Sequence, residues 1–183
     1  MNRICIILSL SCLIALGGCK SGSRQISADK TEFEMAMTSR DTIEVRRLID
    51  MFFEKIEDGR IAIAIATLYY LPTDDRWSEP QLLDNEQMAK AKAAFDAFPI
   101  TDHRIDYIKF HEMYANEAKI TAILAHGGEN MPEISTVIYL KPVNYKGNWR
   151  LCLMDTLEGD EPLVSNEKRD SLAGEFENSQ LGK

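Results

Sequence analysis

The spacing of apolar residues changes once along the chain, near residue 104, and this change limits what the chain can fold into. Between residue 41 and this point, most apolar residues recur at every third or fourth position, as on one face of a helix; after it they alternate with polar residues, as in strands. Helices that precede a group of closely spaced strands predict an α+β fold whose strands pair antiparallel. The 183 residues, of which 45% are hydrophobic, suffice for one domain with tails.

Two helices are predicted in the first part of this domain. Asp41 is a suitable N-cap with Glu44 three residues later, and Gly59 supplies the end of this amphipathic helix. Residues 61–66 alternate Ile with Ala, which fits a strand by period and a helix by composition, since Ala disfavours strands. We predict a short, deeply buried helix there that ends near Pro72.

A third helix and four strands are predicted in the rest of the domain. Asp84 and Gln87 form a capping pair, and Pro99 ends the helix. The face of this helix that points to the core is expected to carry Met88, Ala91, Phe95 and Phe98. Because the connections between the strands are short, the strands are expected to form a meander. They are predicted at 104–114, 118–125, 134–141 and 148–155.

The first nineteen residues have the pattern of an export signal. Arg3 supplies a positive charge, and the apolar run over 4–16 is shorter than the about 20 residues that a membrane-spanning helix needs. The run ends in Leu16-Gly17-Gly18-Cys19, which resembles the lipobox of bacterial lipoproteins. The resemblance implies that residues 1–18 are a signal peptide, removed after Gly18, and that Cys19 becomes lipidated.

The same resemblance predicts where the protein resides. A lipidated Cys19 would anchor the exported chain, so the membrane is the first predicted partner. Lys20 stands where an aspartate marks inner-membrane retention in some Gram-negative lineages, which favours the outer membrane. The sequence lacks the acidic run after the cysteine that accompanies surface export in some lineages, which favours the periplasmic face.

The segments that flank the domain, assigned to 41–157, are polar. Residues 19–40 comprise the lipidated cysteine and a stretch rich in Ser, Lys and Arg, which predicts a flexible tether. Three apolar residues in this stretch either dock on the domain as a short strand or helix or are merely tolerated in a linker. They are Phe33, Met35 and Met37. Residues 158–183 contain seven acidic residues without apolar periodicity, which predicts a mostly disordered acidic tail.

The domain resembles the nuclear-transport-factor-2-like superfamily. The resemblance lies in residues 52–59, in the alanine-containing helix that follows them to Tyr70, and in Gly147-Asn148-Trp149-Arg150-Leu151 near the end of the domain. It implies that N-terminal helices pack in a curved antiparallel sheet to form a cone, whose open end can hold a ligand or a catalytic pocket. A cystatin-like helix packed over a sheet is the competing assignment.

Five aromatic residues and one histidine are the candidates for lining such a pocket. They fall at the end of the second helix, in the loop after it, and on or near the first two long strands. An apolar pocket with hydroxyl and indole donors at its mouth would suit a small ligand. For Tyr107 and Phe110 a place in the core is the favoured alternative. The candidates are Tyr70, Trp77, Tyr107, Phe110, Tyr114 and His126.

Other side chains with reactive groups give weaker indications. Asp96 and Asp106 are carboxylates of the type that an isomerase needs as a base, but neither maps onto a catalytic position of the superfamily. The three histidines are spaced 8 and 15 residues apart, without the spacing of metal ligands, so neither a metal site nor a cofactor is predicted. His103 is expected to be solvated. Cys152 is expected to be a small buried side chain in a strand rather than a nucleophile.

Together these features predict a membrane-anchored periplasmic lipoprotein whose domain binds rather than catalyses. The ligand is either a small apolar molecule in the cone or a periplasmic protein partner on the sheet, and a homodimer through the outer sheet face is a further option. A lyase- or isomerase-type enzyme, with a carboxylate or histidine in the cone, is the alternative. The formal net charge of -8 argues against nucleic acid as a partner.

Overall fold

The structure, a computed structural model, describes residues 30–72, 79–128 and 131–154, together with the helical positions Leu172 and Phe176. It confirms the predicted α+β class, with helices packed on a six-stranded sheet. The helices in these ranges are α1 (Glu32–Ala36), α2 (Ser39–Glu57), α3 (Ile61–Ile65) and α4 (Asn85–Asp96). The strands are β1 (Tyr69–Tyr70), β2 (Gln81–Leu82), β3 (Asp102–Lys109), β4 (Glu117–Ala125), β5 (Ile134–Tyr145) and β6 (Asn148–Leu153).

Several predicted features fall outside the described residues. They are the signal peptide over 1–18 with its lipobox, the lipidation site Cys19, the first part of the tether, and most of the tail over 158–183. Within the tail, Leu172 and Phe176 are helical, and Phe176 packs against the hydrophobic core. In the part of the chain that is described, no helix is both long and apolar enough to cross a membrane.

The segment predicted as a tether contains α1, which docks on the domain. Thr31 caps this helix, since its Oγ1 accepts a hydrogen bond from Glu34 N at 3.0 Å. Phe33 packs edge-on against Trp149 with ring centroids 6.4 Å apart, and Lys109 Nζ lies 2.5 Å from a carboxylate oxygen of Glu34. Of the two alternatives that the sequence left open for Phe33, Met35 and Met37, docking as a short helix is the one observed, with Phe33 and Met37 packed against the core and Met35 65% exposed.

The longest helix, α2, begins before its predicted cap. Thr38 is the N-cap, and Asp41, predicted to be the cap, is the third helical residue, whose carboxylate accepts a hydrogen bond from Thr38 N at 2.9 Å. Gly59 follows the end of the helix with a φ of +74°, a conformation that glycine adopts without a steric penalty, and the predicted stop is confirmed. The buried face of α2 carries Val45, Ile49, Phe52, Phe53 and Ile56.

The helix predicted from the Ile–Ala alternation is present as α3, but it is shorter and more exposed than predicted. It ends at Ile65 rather than near Pro72, because Tyr69 and Tyr70 pair in the sheet as β1. Ile65 is buried, but Ile63 is 55% exposed, so one side of the helix faces solvent. The prediction of a deeply buried helix is therefore right for Ala64 and Ile65 and wrong for Ala62 and Ile63, which are exposed.

Helix α4 begins at the predicted cap. The carboxylate of Asp84 accepts a hydrogen bond from Gln87 N at 2.8 Å, and Gln87 Oε1 accepts one from Asp84 N at 3.0 Å. Phe95 is buried as predicted, whereas Phe98, predicted to face the core, is 48% exposed because it lies beyond the end of the helix at Asp96.

The four long strands form the predicted antiparallel meander, and two short strands extend it. The strand order is β2-β1-β6-β5-β4-β3. β1 runs parallel to β6, with Tyr69 opposite Cys152, so the sheet as a whole is mixed rather than wholly antiparallel as predicted. Sequence periodicity missed β1 and β2 because two-residue strands are too short to show alternation.

Two local features shape the long strands. The register of β3 against β4 shifts between Ile105 and Tyr107, so Asp106 is the extra residue of a bulge. Because of this bulge, the side chains of Ile105 and Tyr107 lie on opposite faces of the sheet. Lys146 and Gly147 join β5 to β6 with φ values of 49° and 78°. Two successive positive φ values are typical of the type I′ turn, whose twist matches that of a hairpin.

The hydrophobic core lies between α2 and the sheet. Phe52 packs edge-on against Phe53 and against Phe95 of α4, with ring centroids 5.1 and 5.5 Å apart. Leu140 and Trp149 belong to the same cluster from the sheet side. These contacts fix α4 and β5 at the same end of the domain, where they border an open space.

Candidate functional site

A groove with a volume of about 430 Å³ separates α4 from the sheet. Helix α4 is held in place by contacts with α3 and by Phe95, which packs on Phe52 of α2. Ala91 and Ala94 of the same helix line the groove. Because alanine side chains are too short to reach the facing strand, the alanine-rich sequence of α4 leaves this space open.

The lining of the groove is mainly apolar and continues to the surface. The sheet contributes residues of β5, including Val137 and Ile138, and Leu153 at the end of β6. Phe98 and Val137 both line the groove and are 48% and 45% exposed, respectively. Large apolar side chains that line a cavity and also face solvent are typical of a binding surface.

The polar groups of the groove lie among this apolar lining. Tyr70 donates a hydrogen bond from its hydroxyl group to Gln81 Oε1 at 2.9 Å, and Gln87 is engaged in the cap of α4. Lys90 Nζ lies 2.9 Å from a carboxylate oxygen of Glu86. Hydroxyl groups come from Thr136 and Tyr139 as well. Such a site offers a few polar contacts around an apolar interior, which is the usual composition of a small-molecule pocket.

The structure places the six predicted pocket residues in different surroundings. Tyr70 lines the groove, and Trp77 lies outside the described residues. Tyr107 is 2% exposed and donates a hydrogen bond to Glu117 Oε1 at 2.5 Å. Phe110 is buried against Trp149 at a centroid distance of 5.1 Å. For Tyr107 and Phe110, the favoured alternative of a buried position is therefore the one observed.

The two remaining candidates lie away from the groove. Tyr114 is half-buried in the connection between β3 and β4. His126 follows the end of β4 with a side chain that is 60% exposed, and its Nε2 lies 3.9 Å from a carboxylate oxygen of Asp102. Neither is among the residues that line the groove.

The other side chains considered as reactive groups are either paired with neighbouring residues or buried. Asp96 is exposed and pairs with Lys92 on α4. Asp106 accepts a hydrogen bond from Thr121 Oγ1 at 2.8 Å and lies 3.4 Å from Lys119 Nζ on the sheet. Cys152 is fully buried in β6, as expected of a small packing residue.

His103 is the residue whose surroundings differ most from the sequence prediction. Its side chain is 12% exposed rather than solvated, and its ring stacks on Phe53 at a centroid distance of 4.9 Å. Its Nδ1 lies 2.7 Å from Glu57 Oε1, and its Nε2 lies 3.1 Å from Asp50 Oδ1. Burial lowers the pKa of His103, but the hydrogen bonds with the two carboxylates outweigh burial and raise the pKa above its ordinary value of 6.5.

Sequence reasoning missed both the groove and this histidine–carboxylate cluster. The groove is formed by α4 and β5, and nothing in either segment alone signals a cavity. Glu57 and Asp50 precede His103 by 46 and 53 residues, so no local spacing connects them. One signal was present, because Asp50 and Glu57 are seven residues apart and must share a face of any helix.

Comparison with known proteins does not assign the site. The chain matches no protein-family model, and no curated protein matches it. The function therefore has to be argued from the geometry of the groove.

Proposed function

We propose that this chain is an exported, membrane-anchored lipoprotein whose domain binds a small apolar ligand in the groove between α4 and β5. The groove carries the binding part of the proposal, because its volume of about 430 Å³ and its apolar lining match ligand pockets, which span about 300–1,000 Å³. The lipobox Leu16-Gly17-Gly18-Cys19 supports the anchoring part, Lys20 supports the outer membrane, and the lack of an acidic run after Cys19 supports the periplasmic face.

The fold that we propose for this domain is the nuclear-transport-factor-2-like cone. Three features support it: helices that precede the four long strands, an antiparallel meander of these strands, and one bulge each in β3 and β4. The bulges lie at Asp106 of β3 and Leu124 of β4, and bulges bend and twist the strands that contain them. The groove lies between helix and sheet, where the cone of that superfamily holds its ligand.

Binding is a better proposal than catalysis for this groove. A lyase or isomerase needs a base such as a carboxylate or imidazole beside a reacting carbon. Within the described lining, the polar groups are those of Gln87, Lys90, Thr136 and the two tyrosines. These groups suit hydrogen bonds to a bound molecule, so the expected ligand has an apolar body and few polar atoms.

The binding proposal predicts that filling the groove blocks a ligand. The apolar fluorescent probe 1-anilinonaphthalene-8-sulfonate should bind the chain saturably, and Ala94→Trp should weaken its affinity by about ten-fold or more, equivalent to about 1.4 kcal/mol. The reason is that a Trp at this position would project into the space that the probe occupies. Fluorescence titration of both proteins measures the difference.

Ala93→Trp is the matched control, because Ala93 is exposed on the same helix and is not among the groove-lining residues. It adds the same apolar side chain and should leave the affinity for the probe unchanged. Equal affinities for wild type and both variants would show that the probe binds elsewhere and would contradict a binding groove at α4.

A further inference from the structure

The cluster around His103 has the composition of a transition-metal site. Each of three residues offers one atom that can bind a metal, and these three atoms all lie within 4.8 Å of one another. The residues are Glu57, Asp102 and His103. Glu57 is at the end of α2, while Asp102 and His103 open β3, so the contact between these two elements brings the three together. Protein ligands bind zinc at about 2.0–2.2 Å and thus lie within about 4.4 Å of one another, which the cluster can reach by small side-chain movements.

The second ring nitrogen of His103 is oriented as in known metal sites. A histidine that binds a metal through one nitrogen usually donates its other N–H to a carboxylate, which fixes the tautomer and the ring orientation. Here Nε2 lies 3.1 Å from Asp50 Oδ1, and Asp50 is held in turn by Arg46, whose Nε is 3.8 Å from Asp50 Oδ2. This leaves Nδ1, which lies 2.7 Å from Glu57 Oε1, as the nitrogen available to a metal.

The surroundings suit a divalent cation of the zinc type. The imidazole ring is held rigidly by stacking on Phe53 and is 12% exposed, whereas Asp102 is 52% exposed and open to solvent. Two carboxylates beside one imidazole balance the charge of a divalent ion, and a nitrogen ligand favours zinc over magnesium or calcium. With three protein ligands, the fourth tetrahedral position would be taken by water.

We propose that Glu57, Asp102 and His103 Nδ1 form a binding site for a divalent transition-metal ion of the zinc class, with Asp50 as the positioning residue. The site is independent of the apolar groove and of any ligand there. When the metal binds, it takes the place of the proton on Nδ1, and that proton is released to solvent.

The test is a titration of the untagged full chain, purified in detergent and treated with a chelator, with zinc chloride by isothermal calorimetry. Wild type is expected to bind about one zinc per chain, and His103→Gln and Asp102→Asn are each expected to weaken binding about ten-fold or more. Asp50→Asn should weaken it by about 10–100-fold without abolishing it, as for other positioning residues. In wild type, His103 N donates a hydrogen bond to Asp102 Oδ1 at 2.8 Å. The side-chain oxygen of an asparagine can still accept this bond, so Asp102→Asn should preserve the fold and keeps the test valid if His103→Gln does not fold.

His111→Gln is the matched control, because His111 is a more exposed histidine whose Nε2 lies 3.9 Å from Glu112. It should bind zinc like wild type. The absence of saturable zinc binding would overturn the proposal. So would equal zinc affinities for wild type, His103→Gln and Asp102→Asn, or displacement of zinc by an equal concentration of magnesium, because either result would show an acidic surface without a histidine ligand.

Discussion

Asp41 shows both what a capping pattern can predict and where it fails. The sequence contains two overlapping patterns, Thr38 with Asp41 and Asp41 with Glu44, and both fit a helix start. The structure uses the first, because Trp149 Nε1 also donates a hydrogen bond to Asp41 Oδ1 at 3.2 Å. That contact joins residues 108 positions apart, so local sequence alone could not decide between the two patterns.

The hydrogen bonds of Asp41 make its contribution to stability dependent on pH. Burial raises the pKa of Asp41, but hydrogen bonds from Thr38 and Trp149 outweigh it, and the pKa lies below its ordinary value of 3.8. A carboxylate with a lowered pKa stabilises the fold above its unfolded-state pKa and loses this effect as the pH falls through its folded-state pKa. Asp41→Asn should therefore lower the free energy of unfolding by about 0.5–1 kcal/mol at neutral pH, and by less in acid.

Urea unfolding of wild type and Asp41→Asn, between neutral pH and pH values below 3.8, measures the difference in the free energy of unfolding. Glu44→Gln is the matched control, because it also neutralises one carboxylate of α2 but leaves the hydrogen bonds from Thr38 and Trp149 to Asp41 in place. If the difference between wild type and Asp41→Asn stayed constant from neutral pH to below 3.8, the ionised carboxylate would not be the stabilising species.

At the scale of elements, helix α1 makes the end of the predicted tether part of the domain, because Phe33 of this helix contacts Trp149 of the sheet. Phe33 packs on Trp149 and is half-buried, whereas Met35 on the same helix is 65% exposed. Phe33→Ala should lower the free energy of unfolding by about 1–2 kcal/mol, because part of the apolar side chain leaves water on folding. Chemical unfolding followed by tryptophan fluorescence reports this change and the surroundings of Trp149.

Met35→Ala is the control for this prediction. An exposed side chain should change the free energy of unfolding by no more than about 0.5 kcal/mol. Equal effects of the two substitutions would contradict the docking of α1 through Phe33.

The elements that were predicted correctly are those with strong local signals. The caps at Asp84 and Gln87, the stop at Gly59 and the alternation of the long strands all act within a few residues. α1 and β1 lack such signals, since five and two residues are too short for a period to appear. Their conformations depend on partners far along the chain, such as Trp149 for α1 and Cys152 for β1.

At the scale of the whole molecule, both candidate sites arise where separate segments meet. The groove needs α4 to stand beside β5, and the cluster needs the end of α2 to meet the start of β3. The sequence predicts each of these helices and strands, but it does not predict which of them lie next to each other in the fold. Of the predicted pocket residues, Tyr70 was found at the groove because it lies on β1, beside the end of β6.

The proposed anchor determines where such a binding domain would act, and Cys19 provides its test. Cys5 and Cys12 would leave with the signal peptide and Cys152 is buried in β6, so Cys19 is the cysteine available for lipid. Cys19→Ser should release the protein from membranes or leave it as an uncut precursor, because one serine cannot accept the thioether-linked lipid and each buried CH₂ contributes about 0.8 kcal/mol to anchoring. Membrane fractionation and mass spectrometry of the N-terminus measure both outcomes.

Cys12→Ser, a change within the apolar run, is the control and should leave anchoring intact. A Cys19→Ser protein that still fractionated with membranes at mature size would rule out the lipid anchor.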